Sequence, residues 1–550
     1  MKHLITKLIT VSASVLLLSG CNEFLDTTPT DRVSDRLVWT DAKYTDLYIN
    51  NFYCYLNRYG IFGGAQFSGN MTEGLTNTMK YGSVPPGSKA GDSNNYVFYP
   101  EQMSINGNLL GIWDDAYVRI RRINEFLDSQ KKYSQYSAEQ NALYEAQAKF
   151  FRAYVYFQLA KRHGSLILYD NIDFVKDKAR STEAETWQFI ADYLDFAAKV
   201  LPRKWDAANS GRLTRYAAFA LKSRAMLYAE RWEDAKSAAD SVINSGLYAL
   251  AADYSDAWKG GNSESILEFR YDKTNKLAHT FDKDYVPYGD FKPFGSDEYG
   301  GSGCPTQEMV EEYEDRYGQP VDWSAWHTGE PVTARPPYED LEPRFAKTIL
   351  YNGSVWKGNV MENTPDGDHG RYMGYRKDDY ARGRTVTGYY LRKLLDENNN
   401  RFIDMGSDQT YVEIRYAEVL LNRAEALMRT GKLGEAMNDV NQVRARVGLP
   451  QRSAESEKAV FENIRHERMV ELSYEGFLYW DMRRWELAHV EYDNYRVHGL
   501  KPEMNGSEMT YTYVDADLTD RKFMKKSYVL PMPASETNNN SLAEQYDEWK

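Results

Sequence analysis

The sequence predicts a mainly α fold: a tetratricopeptide-repeat-like scaffold of helix pairs carrying large loop-rich insertions. Three observations lead there. Apolar residues recur at the three- to four-residue spacing of amphipathic helices over most of the chain. Small residues stand where consecutive segments would cross, with Gly or Pro at the stops. Three stretches, 76–103, 272–303 and 317–384, break this pattern with Gly, Pro, Asp and aromatic residues.

The helices follow in order. Gly111 to Leu127 places Ile112, Ala116, Ile120, Ile123 and Leu127 on one face. Ala142 to Arg162 does the same with Ala146, Phe150, Ala153, Tyr154, Phe157 and Ala160. Ser181 or Thr182 caps the next helix, which turns Trp187, Ile190, Leu194 and Ala197 inward and ends before Pro202. Thr214 to Glu230 and Trp232 to Asn244 pair about a very short turn, with Gly246 at the stop. Arg415 to Arg429 and Leu433 to Arg446 repeat the design, with Gly431 in the turn and Gly448-Leu449-Pro450 as the stop. Val460 to Ser473 and Gly476 to Leu487 complete the series. The clearest repeat-like pair is Ala424 to Pro450, where Ala424, Ala426, Gly431 and Ala436 allow close helix approach.

The start of the chain is a secretory signal. Lys2 and Lys7 precede an apolar run from Leu8 to Leu18 that is too short for a permanent membrane span. Leu18-Ser19-Gly20-Cys21 resembles a bacterial lipobox. Residues 1–21 are therefore expected to be a lipoprotein signal, with Cys21 as the lipidated residue.

Among 550 residues the formal charge is −13, which gives no general attraction to nucleic acid or anionic lipid. No long apolar run follows the signal. Cys54 and Cys304 make no disulfide framework; they either pair or stand as separate thiols. The 43 Tyr and 12 Trp are the unusual quantity. A tyrosine offers a flat apolar face and a polar tip, which suits sugars and peptides alike.

Catalytic signatures are missing. His466-Glu467 lacks the second histidine of a zinc protease motif, and no nucleophile elbow, Walker loop, dinucleotide fingerprint or Cys/His zinc spacing is present. A glycosidase needs only two carboxylates and no motif, so that alternative stays in view. No cofactor is expected. Asp396, Asn398, Asn400 and Asp404 have the oxygen spacing of a calcium loop, but Arg401 and Ser407 stand where an EF-hand has Gly and Glu. A polar turn and a degenerate structural calcium site both fit this run.

Several strings match one family in shared order. They are Cys21-Asn22-Glu23-Phe24-Leu25-Asp26; Trp113, Tyr117, Ile120, Asn124 and Leu127; Arg152-Ala153 with Tyr156-Phe157-Gln158-Leu159 and His163-Gly164; and Gly211-Arg212-Leu213-Thr214. Arg415 to Ala426, Glu467-Arg468, Glu475-Gly476, Arg483-Arg484-Trp485 and Tyr528-Val529-Leu530-Pro531-Met532-Pro533 follow. Together they resemble the SusD/RagB surface lipoproteins of the Bacteroidetes over nearly the whole mature chain. The terminal run Glu544 to Lys550 departs from the family's Gln-Asn-Pro-Gly-aromatic ending.

The resemblance implies a region 22–262 with helix pairs and a first ligand loop, and a region 263–550 with the later insertions and helix pairs. It implies a non-enzymatic protein anchored on the outer face of the outer membrane. Such a protein captures glycans, or alternatively peptides, for a SusC-type TonB-dependent transporter; a pure repeat scaffold is a further alternative. Buried Arg415, Glu418, Glu425 and Glu471 would pair inside the scaffold. Ligand contacts are expected from loop residues: Tyr81, Asn94, Asn95, Tyr96 and Tyr99 in the first insertion, then Tyr285, Tyr288, Trp323, Trp326 and Trp356. Trp323 and Trp326 would form a stacking platform if their segment were helical. Rings and amides in a shallow wet site imply micromolar or weaker binding, about 8 kcal/mol or less.

Overall fold

The computed structural model describes residues 35–63, 71–82, 96–295, 299–374 and 383–550. Cys21, Asn94 and Asn95 lie outside the described residues. The ten principal helices are α1 (Ala42–Tyr59), α2 (Trp113–Tyr133), α3 (Ala138–His163), α4 (Glu183–Val200), α5 (Arg215–Tyr228), α6 (Trp232–Ile243), α7 (Tyr416–Arg429), α8 (Leu433–Arg446), α9 (Glu457–Glu471) and α10 (Leu478–Arg484). Consecutive helices from α2 to α6 pack on one another, as do α7, α8 and α9. Helix α6 also packs on α7, so one hydrophobic core runs through both parts of the chain.

Local chemistry explains the ends of these helices. The Thr182 hydroxyl accepts from Glu185 N while the Glu185 carboxylate accepts from Thr182 N, a reciprocal cap for α4. Gly431, in the α7–α8 turn, has φ +80° with no atom near its missing Cβ, so glycine is needed there for backbone freedom alone. Helix α1 carries no expectation above, yet its buried Thr45, Ile49, Phe52, Leu56 and Tyr59 follow helical spacing. Its polar and tyrosine-rich sequence obscured that stripe.

Strands are few. Strand β1 (Met79–Tyr81) pairs antiparallel with β3 (Gly303–Pro305), and β2 (Ser265–Phe269) pairs with β4 (Tyr411–Arg415). The longest pair is a hairpin of β5 (His498–Asn505) and β6 (Glu508–Asp515), turning at Gly506 with φ +65°. Cys54 and Cys304 are both free thiols, the first exposed and the second buried.

The charges that the sequence singled out in the scaffold, Arg415, Glu418, Glu425 and Glu471, are all paired. Arg415 reaches Glu264, Glu471 and Glu475 at 2.7, 2.6 and 2.7 Å. Arg344 reaches Glu342 at 2.6 Å and Glu467 at 2.5 Å, and Arg484 reaches Glu425 at 2.5 Å. Burial alone would raise the Glu471 pKa; the guanidinium groups of Arg446, Arg415 and Arg344 outweigh it and hold the carboxyl well below the usual range.

Candidate functional site

The insertions meet at one junction built from backbone. Gly82, at the end of β1, donates to Ser302 O at 3.0 Å. Gly300 and Gly301 donate to Lys283 O and Val286 O, and Gly383 donates to Gly300 O at 3.2 Å. Gly289 donates to His369 O, and Thr385 to Arg371 O at 2.8 Å. These stems touch because glycines stand at the crossings. A Cβ on Gly82 would lie 2.7 Å from Gly301 O, and one on Gly383 2.7 Å from Tyr299 O.

Half-buried rings and cations cluster on this junction. The Arg371 guanidinium lies 4.4 Å from the centre of the Tyr288 ring, and Arg371 Nη1 donates to the Tyr288 hydroxyl at 3.1 Å. Arg384 lies 5.1 Å from the same ring. Lys283 Nζ sits 3.8 Å from the Tyr299 ring centre, and Tyr299 packs on Phe291 at 5.8 Å. Burial raises the Tyr372 hydroxyl to about 12, so it remains a hydrogen-bond donor at neutral pH. Asp290 anchors the layer beneath, accepting from Trp356 Nε1 at 3.1 Å and pairing with Lys357 at 2.7 Å. The junction thus offers polar-tipped rings and guanidinium donors over a rigid floor, which is the chemistry of a hydroxylated ligand with apolar faces.

Of the sequence candidates, Tyr288 alone stands in this cluster. Tyr81 and Tyr285 are core: the Tyr81 hydroxyl donates to Met71 O at 2.5 Å, and Tyr285 stacks on Phe281 at 4.6 Å while accepting from Met71 N. Trp356 is 2% exposed. Trp323 and Trp326 do adjoin, with ring centres 5.6 Å apart, but in irregular backbone and a turn rather than a helix, and both are buried. The physical reason is common to all five. A long insertion must bury apolar area of its own, and its largest rings do so first. Tyr96 is partly buried, its hydroxyl accepting from Leu109 N at 3.0 Å beside a cavity of only about 30 Å³. Tyr99 is exposed, away from these contacts.

Sequence reasoning missed Tyr299, Arg371, Arg384 and Lys283. A usable signal was present for two of them: Gly300-Gly301 and Gly383 mark close backbone approach, and Tyr299 and Arg384 adjoin them in the sequence. The run from Asp396 to Asp404 is a hydrogen-bonded turn, in which Asp396 accepts from Asn398 N and Arg401 pairs with Asp404, while Asn400 is exposed. Among the described residues no three His, Cys, Asp or Glu side chains converge as metal ligands. No described helix is long and apolar enough to cross a membrane.

Comparison with known proteins agrees with this architecture. Residues 263–549 match the SusD family, and residues 26–227 match a family described as starch-binding associating with outer membrane. A SusD-like protein P2 from Formosa agariphila is 25% identical over 79% of each chain. A solved SusD-like protein from Bacteroides fragilis superposes with a TM-score of 0.78 and 26% identity, over 94% of this chain and 99% of that one. A SusD-like carbohydrate-binding protein from the same species gives 0.74 and 23%, over 92% and 99%. With a family match over more than half its length and a shared fold over nine-tenths of it, this chain belongs to the SusD family.

Proposed function

We propose that this protein is a cell-surface glycan-binding lipoprotein that captures oligosaccharide or polysaccharide and delivers it to a SusC-type TonB-dependent outer-membrane transporter. It is held there by a lipid on Cys21 and performs no catalysis. The observation that carries the binding reading is the half-buried Tyr288 ring with Arg371 and Arg384 against it. The family description, starch-binding associating with outer membrane, points the same way. A sugar stacks an axial C–H face on such a ring, and the guanidinium N–H groups bond its hydroxyls. Each such bond replaces one made to water, so affinity is modest and release to a transporter is easy.

A panel of plant, host and microbial glycans with a peptide pool, titrated onto the protein without residues 1–21 and followed by product analysis, tests this. One glycan class should bind without turnover and lose affinity in Tyr288→Ala. Peptide binding with no glycan hit, or release of shorter sugars, would overturn it. Co-purification with a barrel transporter tests the partner.

A further inference from the structure

Away from the loop junction, a cleft of about 1130 Å³ opens between the end of α3, the start of α4, α10 and the C-terminal segment. Its size suits a small ligand of one or two rings. Cations gather at its depth around Trp480: Lys161 Nζ lies 4.6 Å from the ring centre and the Arg483 guanidinium 5.0 Å. Arg484 beside them is satisfied by Glu425 and Asp481. Arg483 donates to Tyr528 O and is near the Tyr479 hydroxyl, with no carboxylate partner among the described residues. The Lys161 ammonium makes no hydrogen bond or ion pair with a described residue and lies against the Trp480 and Phe157 rings.

That arrangement is incomplete as it stands. Arg344, Arg415 and Arg484 each touch carboxylates in this scaffold; the Lys161 ammonium touches none. Burial, followed by the charge of Arg162, holds its pKa well below that of an ordinary lysine; the Glu413 carboxylate, paired with Arg224 and not in contact with the ammonium, opposes this without outweighing it. An oxyanion in the cleft would supply the contacting anion that Lys161 lacks. Trp480 Nε1 adds a buried N–H without an acceptor in the wall of the same cleft.

The rim narrows the class of ligand. Glu183, Glu230, Glu486 and Glu544 line the cleft and are exposed. Such a rim repels a polyanion but accepts hydrogen bonds from hydroxyl groups. A compact ligand with one oxyanion and an otherwise neutral, hydroxylated body satisfies both floor and rim.

We propose that this cleft is a second ligand site, distinct from the loop junction, for a sugar bearing one carboxylate or sulfate group, with Lys161 as its anion contact. The choice of a sugar rests on the glycan-capture reading above; the anion contact rests on the cleft itself.

The test titrates the full chain in detergent with three disaccharides of one linkage: glucuronate-terminated, sulfated and neutral. At least one acidic form should bind about tenfold or more tightly than the neutral form. Preference for the first assigns a carboxylate and for the second a sulfate. Lys161→Met should erase the difference, Lys161→Arg should keep it, and Tyr288→Ala should leave it unchanged. Should Lys161→Met fold poorly, amine acylation of the native protein gives the same answer: the acidic sugar should protect Lys161 and the neutral one should not. Equal binding of all three sugars, an unaffected Lys161→Met protein, or unprotected Lys161 overturns the site. Glycan binding that depends on Tyr288 but shows no acidic preference removes this inference alone. Absence of any sugar binding removes the glycan reading as well.

Discussion

Arg415 and Arg371 show how the scaffold and the loop junction use the same side chain differently. Arg415 is 1% exposed and touches three carboxylates, so none of its donors is left over. Arg371 is half-buried against the Tyr288 ring, donates to that hydroxyl and to Gly367 O, and has no carboxylate partner among the described residues. A cation matched on every side fixes a shape and recognises nothing. A cation resting on a phenol keeps charge and donors for an incoming hydroxyl. This difference explains why the strings that reveal the family identify the rigid frame, whereas recognition sits in segments without a motif.

The sharpest way to break the comparison is Arg415→Met. It takes the shared guanidinium from Glu264, Glu471 and Glu475, which keep only Arg446, Arg344 and Lys393, and should cost about 3–5 kcal/mol in denaturant unfolding. Glycan affinity per folded molecule should be unchanged. A cost below about 1 kcal/mol would show that the network is not needed to hold the frame. Next in size is Gly300→Ala. Gly300 has φ +79°, and its added Cβ would lie 2.4 Å from Val286 O. The change should cost about 1–3 kcal/mol and weaken glycan binding by displacing Tyr299. Gly431→Ala is the control, since φ is nearly the same but the space is open; about 1 kcal/mol and no binding change are expected.

Much of the frame is legible in the sequence. The Thr182 cap, the Gly431 turn and the span Leu433–Arg446 all follow from local rules that one sequence displays. The pairing of Arg415, Glu418, Glu425 and Glu471 was legible too, because a charge in an apolar helical stripe must find a partner. The site was not. A tryptophan in a loop reads the same whether it faces a ligand or fills the loop's own core, and Trp323, Trp326 and Trp356 do the latter. The β5–β6 hairpin did leave a local trace, the two-residue Gly506-Ser507 turn between its strands, which a reading built on helical spacing passes over.

Smaller effects sharpen the picture of the junction. Arg371→Met removes the guanidinium, with its donations to the Tyr288 hydroxyl and Gly367 O and its cation–π contact. It should lower glycan affinity by about 1 kcal/mol, roughly fivefold, with the melting temperature nearly unchanged. Equal loss of stability and binding would mean that Arg371 belongs with Arg415 as a structural charge.

The smallest expected effect concerns the hairpin. The His498 ring stacks on Tyr513 at 4.5 Å, and its Nδ1 lies 2.6 Å from Glu308. Burial pushes the imidazole pKa down, but the hydrogen bond and charge of Glu308, with further help from Asp515, outweigh it and leave the pKa raised. The protonated ring is therefore favoured in the folded state. Its contribution is fully present below the unfolded value of 6.5 and is lost as pH rises through the raised folded value. Solvent reaches both partners, so the amount is below about 1 kcal/mol. Unfolding curves at pH 6 and pH 8.5 should show native protein and His498→Gln converging at the higher pH. A gap that stays constant would mean that His498 acts by stacking alone, like the buried rings of the insertions and unlike the charged residues of the junction.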